Sequence, residues 1–257
     1  MNRIAAIAVH TFKESVREKV LYNLVVFALL MIGAGLVLGS VSVGINEVAL
    51  VNLGLSAVSV FGLLIAVFIG ISLVWKEVDR RTLYNVLSKP VARSEFILGK
   101  SLGLVLTLVV NTAIMTAGFY LVLWYEKGRL SGADWAPLQA VYFILLQLTL
   151  VVGIALLFSA ISSPALSAVF TLSLYVIGNL LGDLRALGEQ SGTALRGLLR
   201  GLSMILPDFG ALSDIAPAAH GELMPASQIL THSVYAVLYT IVLLSATILI
   251  FERKDLR

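Results

Sequence analysis

Cysteine is absent from all 257 residues, so neither a disulfide framework nor a thiolate metal site exists, and the redox compartment leaves no trace. Charge is scarce: Asp, Glu, Lys and Arg make up 13% of the chain, about half the share of an ordinary soluble domain. Histidine occurs three times and no H-E-x-x-H is present, which excludes that zinc-protease signature. What fills the space is apolar, 59% of residues, with a mean hydropathy of +0.97. A soluble enzyme of this length would leave far too much apolar surface in water. A disordered chain needs the opposite composition. A polytopic membrane protein remains.

A helix needs about 20 apolar residues to cross roughly 30 Å of hydrocarbon. Charge-free gaps run from Lys19 to Glu47, Glu47 to Lys76, Lys100 to Glu126, Asp134 to Asp183 and Glu222 to Glu252. The fourth is too long for one helix and has room for two, and Ser162-Ser163-Pro164 near its middle supplies the break. Six spans are expected, near 21–42, 53–75, 101–124, 138–160, 165–182 and 229–251, in one all-α membrane domain covering 1–257.

The net charge of +3 and a pI near 9.2 could mean nucleic acid, anionic lipid or topology. Placement decides. With both termini on one side, that side receives Arg3, Lys13, Arg17, Lys19, Lys76, Arg80, Arg81, Lys89, Arg93, Lys100, Arg253, Lys254 and Arg257. The other side keeps Lys127, Arg129, Arg185, Arg196 and Arg200. This is a positive-inside pattern with cytoplasmic termini, and it leaves no separate basic patch for nucleic acid.

Residues 1–20 carry too many charges for a cleavable signal peptide. Ala5, Val9, Phe12, Val16 and Val20 recur at helical spacing, so an amphipathic helix lies in the interface or simply leads into the first span. The 76–100 connection holds six of the inside bases around Leu83, Val86 and Leu87, with Pro90 as a stop and Ser94 at the expected N-cap of the next span. Its helix-turn-helix pattern suits either docking on another protein or a solvated hairpin. S-E-F-I-L-G-K-S at 94–101 lacks the first glycine and the strand–loop–helix context of a phosphate loop, so any ATP is bound by another polypeptide.

The connection 183–228 is too long for an ordinary structureless loop, and its middle is apolar. Leu195, Leu198, Leu199, Leu202 and Leu206 form a stripe beside Arg196 and Arg200, and Pro207 stops it; this reads as an interfacial or re-entrant helix of the outer leaflet. The six spans contain no Asp, Glu, Lys or Arg, which argues against proton-coupled transport. Their strongest polar residues are Asn23, Asn111, Thr112, Gln147 and Asn179, readable as interhelical hydrogen-bonding groups or as a polar lane. Gly35/Gly39, Gly99/Gly103 and Gly178/Gly182 are G-x-x-x-G pairs that permit close helix approach, compatible with a dimer.

Taken together, the order of elements resembles that of ABC type-2 permeases. The sharpest match is Glu77, Thr82, Leu83, Leu87, Pro90, Arg93, Gly99 and Lys100, although Arg81 stands where the family has glycine. Phe251-Glu252-Arg253-Lys254-Asp255 is similar to the family's apolar-then-basic tail, and multicopper-enzyme-maturation permeases are the most similar branch. The resemblance implies a non-enzymatic exporter subunit in the inner membrane of a prokaryote. It would pair with a second permease subunit among the membrane lipids. Two ATPase subunits, carrying ATP and magnesium, would dock on Glu77, Arg81, Thr82, Leu83, Leu87, Pro90 and Arg93. A membrane scaffold that recruits a cytoplasmic partner without moving cargo is the alternative.

Overall fold

The computed structural model describes residues 3–41, 46–79, 92–129, 131–189, 197, 199, 201–202 and 205–253. Among these residues the regular elements are helical. In chain order they are α1 (Arg3–Val16), α2 (Lys19–Val41), α3 (Asn46–Asp79), α4 (Arg93–Lys127), α5 (Ala136–Ile161), α6 (Pro164–Asn179), α7 (Leu181–Glu189), α8 (Ile215–Ala219) and α9 (Ala226–Arg253). Short 3-10 turns occupy Gly132–Trp135 and Gly210–Leu212.

Glu47–Ile71, Arg93–Lys127, Ala136–Ile161 and Ala226–Arg253 are each long and apolar enough to cross a membrane. Two further pairs pass that test only together, across bends of 64° (Arg3–Val16 with Leu21–Gly35) and 53° (Pro164–Asn179 with Leu181–Gly188). The described residues therefore hold four to six spans, where the charge-free gaps suggested six. The expected span 165–182 is broken: α6 has 16 residues, about 24 Å at 1.5 Å per residue, and the chain turns at Leu180. Two things end it. The Leu180 amide is shared between the Val176 and Ile177 carbonyls, and the Gly178 carbonyl accepts from the Phe209 amide instead of continuing the ladder.

Local chemistry sets the other ends. α4 stops at Gly128, which has φ 66° and returns its amide to the Trp124 carbonyl, a left-handed close that glycine adopts without steric penalty. α5 and α6 both begin with proline in the first turn, where a missing N–H costs nothing. The expected N-cap Ser94 lies too far into the helix. Ala92 caps α4, and Glu95 Oε2 reaches back to the Ala92 amide at 3.1 Å.

α5 is apolar all round and is the axis of the bundle, packed against α3, α4, α6 and α9; Phe143, Leu150, Val151 and Ala155 are completely buried. α3 fills the other half of the core. α9 lies on the outside and exposes Val237, Leu238, Ile241 and Val242.

The N-terminal helix does not stand off from the bundle. α1 lies along α4, where Gly99 and Gly103 open a groove. A Cβ on Gly99 would stand 2.7 Å from Ile7 Cβ, and one on Gly103 2.6 Å from the Ala8 carbonyl oxygen. The face it buries is small and polar, Thr11 and Ser15, with Ser15 Oγ donating to the Thr11 carbonyl. Ala5 and Val9 stay exposed and Phe12 and Val16 half-buried, so the apolar stripe is left mostly outward. This G-x-x-x-G pair is thus spent inside the chain. Gly178 is likewise occupied by Phe209 and the Pro207 carbonyl.

Candidate functional site

α3 has 34 residues and α4 has 35, about 51 and 52 Å at 1.5 Å per residue, well beyond the roughly 30 Å of a hydrocarbon core. Both helices therefore outrun the membrane, and the 80–91 connection joins them at one end. Glu77 belongs to the last turns of α3. Arg81, Thr82, Leu83, Leu87 and Pro90 lie outside the described residues. Arg93 opens α4.

The start of α1 and the end of α9 arrive at the start of α4. Arg93 Nη1 donates to the Phe251 carbonyl at 2.8 Å and to the Glu252 carbonyl at 2.9 Å. Phe96 stacks on Phe251 with centroids 6.3 Å apart and planes 26° apart. Phe96, Ile97, Ala160 and Phe251 make a small apolar cluster separate from the main core. Arg3 Nη1 approaches Glu95 Oε2 at 3.9 Å, an exposed pair of small energetic weight. Lys100 is buried with its Nζ 5.7 Å from the Phe96 ring centroid. One end of the bundle thus gathers α1, the start of α4, the end of α5 and the end of α9.

The five polar residues do not form one lane. Asn111 and Thr112 are buried on α4, and Asn111 Nδ2 donates to the Thr107 carbonyl one turn back. Asn179 does the same to Tyr175. A carbonyl one turn back is within reach of a short amide side chain, so these groups are satisfied within their own helices. Asn23 is exposed on α2. Gln147 alone of the five reaches another segment: its Nε2, buried on α5, donates to the Phe209 carbonyl at 2.8 Å. Gln147→Leu should leave that buried carbonyl unpartnered and cost about 1–3 kcal/mol, read as a lower melting temperature in detergent.

At the opposite end, Gly197, Leu199, Gly201, Leu202 and Ile205 are helical, and the Leu206 amide bonds the Leu202 carbonyl before Pro207 stops the run. Leu202 and Ile205 are exposed. Leu195, Arg196 and Arg200 lie outside the described residues. Phe209 then plugs back into the bundle, fully buried, its ring 5.0 Å from that of Tyr175. Arg185 pairs with Asp208 at 2.7 Å.

Two features here carry little sequence signal. Lys127 Nζ bridges Glu47 Oε2 at 2.8 Å and Asp134 Oδ1 at 2.6 Å, tying the start of α3 to the end of α4. Burial alone would raise the Asp134 carboxyl, but Lys127 and two donors of Ser131 outweigh it and hold it below the usual carboxylate range. These groups line a cavity of about 190 Å³ with His220. Asp214 is buried and neither of its oxygens accepts a hydrogen bond, so desolvation pushes its carboxyl up to about 6. Trp124, Tyr125 and Trp135 expose their rings at this end, as side chains at a headgroup boundary do. No group of His, Asp and Glu among the described residues could hold a metal ion.

Residues 5–256 match the family model described as ABC-2 family transporter protein. No curated protein matches the chain.

Proposed function

From the premise that this chain belongs to the ABC-2 family of transporter proteins, and is therefore a multi-pass permease subunit of an ABC transporter, we propose that it works as an ATP-driven exporter. Two ATPase subunits, which hold ATP and magnesium, seat on the 76–100 connection of two permease subunits, in the inner membrane of a prokaryote with both termini cytoplasmic. The positive-inside pattern supports that orientation. So does the arrival of Arg3 and Phe251 at the Arg93 end of the bundle. The resemblance to multicopper-enzyme-maturation permeases marks the branch, and the helical stretch before Pro207 rests in the outer leaflet.

One observation supports the coupling role: α3 and α4 are each longer than the hydrocarbon core is thick, and the start of α4 is held to α1 and α9. A docked motor needs such a handle. The spans at 53–75, 101–124, 138–160, 165–182 and 229–251 hold no Asp, Glu, Lys or Arg, and His232 near the outer end of the last is their one histidine, no relay chain, so energy delivered from outside the membrane fits them.

Purification from the native membrane should bring an ATPase subunit along, with ATP turnover that depends on both chains. Leu83→Asp places a charge on the apolar face of the loop and should weaken ATPase recovery about tenfold, the scale of an interface anchor, while insertion is unchanged. Glu77→Ala should uncouple turnover from transport. A stable complex without an ATPase, or ATPase recovery and substrate-stimulated turnover both normal in the two variants, would favour the scaffold reading.

A further inference from the structure

α9 is the least enclosed of the four long apolar helices, yet it is fastened at its C-terminal end and at mid-length. At the cytoplasmic end the last carbonyls of a helix have no partner within it, and here the Arg93 guanidinium supplies one for Phe251 and one for Glu252. A cation at a helix C-terminus is also favoured by the helix dipole. The Phe96–Phe251 stack adds a second contact one turn along α4. Partway along, Tyr239 donates its hydroxyl to the Ile205 carbonyl at 2.6 Å, and the Asp208 amide donates to Tyr235 Oη at 2.9 Å. Between Tyr239 and Phe251 α9 runs 12 residues, about 18 Å at 1.5 Å per residue, with an open apolar face.

We propose that Arg93 is a positioning residue that couples the ATPase-docking connection to the outer mouth through α9. The inference rests on the permease reading above and adds the route of the motion. A pull on the 80–91 connection moves the start of α4. Arg93 Nη1 donates to two successive carbonyls, so it holds the last turn of α9 against the start of α4. A hydrogen-bonded helix is stiff along its axis, and the displacement arrives at the segment 205–209, which Tyr235 and Tyr239 hold and whose Phe209 plugs the bundle beside Gln147. Lysine could reach one carbonyl from a flexible stem and would preserve part of the effect.

Amide hydrogen exchange on the intact complex with its ATPase tests this, with and without a non-hydrolysable ATP analogue. In the wild type, nucleotide should change exchange in both 80–91 and 205–214. In Phe251→Leu, which loosens the stack and lies outside the docking residues, the change at 80–91 should persist while that at 205–214 falls several-fold. In Arg93→Ala, which also removes a docking residue, the response at 205–214 should fall further than that at 80–91, by about tenfold, the scale of lost charge-assisted hydrogen bonds, and Arg93→Lys should lie between. A merely structural role would alter exchange equally in both nucleotide states. A 205–214 response identical to wild type in Phe251→Leu, or one that in Arg93→Ala falls no further than the response at 80–91, overturns the proposal. Absence of a nucleotide response at 80–91 in the wild type overturns ATPase docking itself, and the coupling route with it.

Discussion

Gly103→Val should detach the N-terminal helix from the bundle. A Cβ at this position stands 2.6 Å from the Ala8 carbonyl oxygen and 2.6 Å from Thr11 Cβ, both far below van der Waals contact. The first obstacle is backbone, which cannot rotate away, so α1 as a whole must move. Valine adds two methyl groups beyond that Cβ. Overpacking of a tight contact costs about 3 kcal/mol at the upper end of the usual range, and here the cost falls on one seam. The buried pair Thr11 and Ser15 would be uncovered together. Limited proteolysis within the segment 1–18, with the melting temperature in detergent, reads both effects. Gly33 is the control: nothing lies within 4 Å of its Cβ direction, so Gly33→Ala should be neutral or stabilising by up to about 1 kcal/mol through helix propensity. A Gly103→Val chain that melts and resists protease like the wild type would show that α1 does not sit in this groove.

Asp214→Asn should stabilise the protein at pH 7.5 and lose that advantage near pH 4. The Asp214 carboxyl is 1% exposed and unpartnered, and desolvation carries it from 3.8 to about 6. A folded-state value above the unfolded one means that the native chain holds this proton more tightly. The contribution to stability is complete below about pH 4 and is lost as pH rises through about 6. Above that, the ionised form burdens the fold by up to about 3 kcal/mol, from a displacement of roughly two units at 1.36 kcal/mol each. Asparagine removes the charge at nearly constant shape. Asp134 has the opposite sign, supporting the fold at neutral pH and losing that support in acid, but it is common to both chains and cancels in the comparison. Melting temperatures at pH 4 and 7.5 decide the matter: an equal difference at both would mean that Asp214 is not buried and charged as described.

The membrane class and the placement of the helices were legible because each rests on a one-dimensional quantity. A charge costs several kcal/mol inside hydrocarbon, so its absence over a membrane-spanning length marks a helix wherever it occurs. Glu126 and Asp134 bounded their gaps within two residues of the end of α4 and the start of α5, and Pro164 opens α6 as the break suggested. The loop residues at 76–100 were legible only as a pattern with a family resemblance. Of these, the structure describes the side chain of Arg93, and it ties that guanidinium to α9, 158 residues away. Local periodicity contains no information at that separation. Ser94 shows the same limit at short range: serine is a good cap, but Glu95 at the third helical position rewards a start at Ala92.

The glycines divide the two kinds of knowledge most clearly. Gly99 and Gly103 announced a close approach, since spacing of four places both on one helix face. They did not say to what. Only the tertiary fold chose α1 over a second copy, because α1 presents Ala8, Thr11 and Ser15, small enough to enter the groove. Span 165–182 was right in composition, but it bends by 53° at a break where Phe209, from the middle of the connection that follows, bonds back to Gly178. The chain without cysteine and with little charge determined by itself that it is helical and membrane-embedded. Which helices meet, which polar groups are satisfied at home, and which ends are fastened were decided by packing, since contact energies depend on neighbours that the linear pattern does not name.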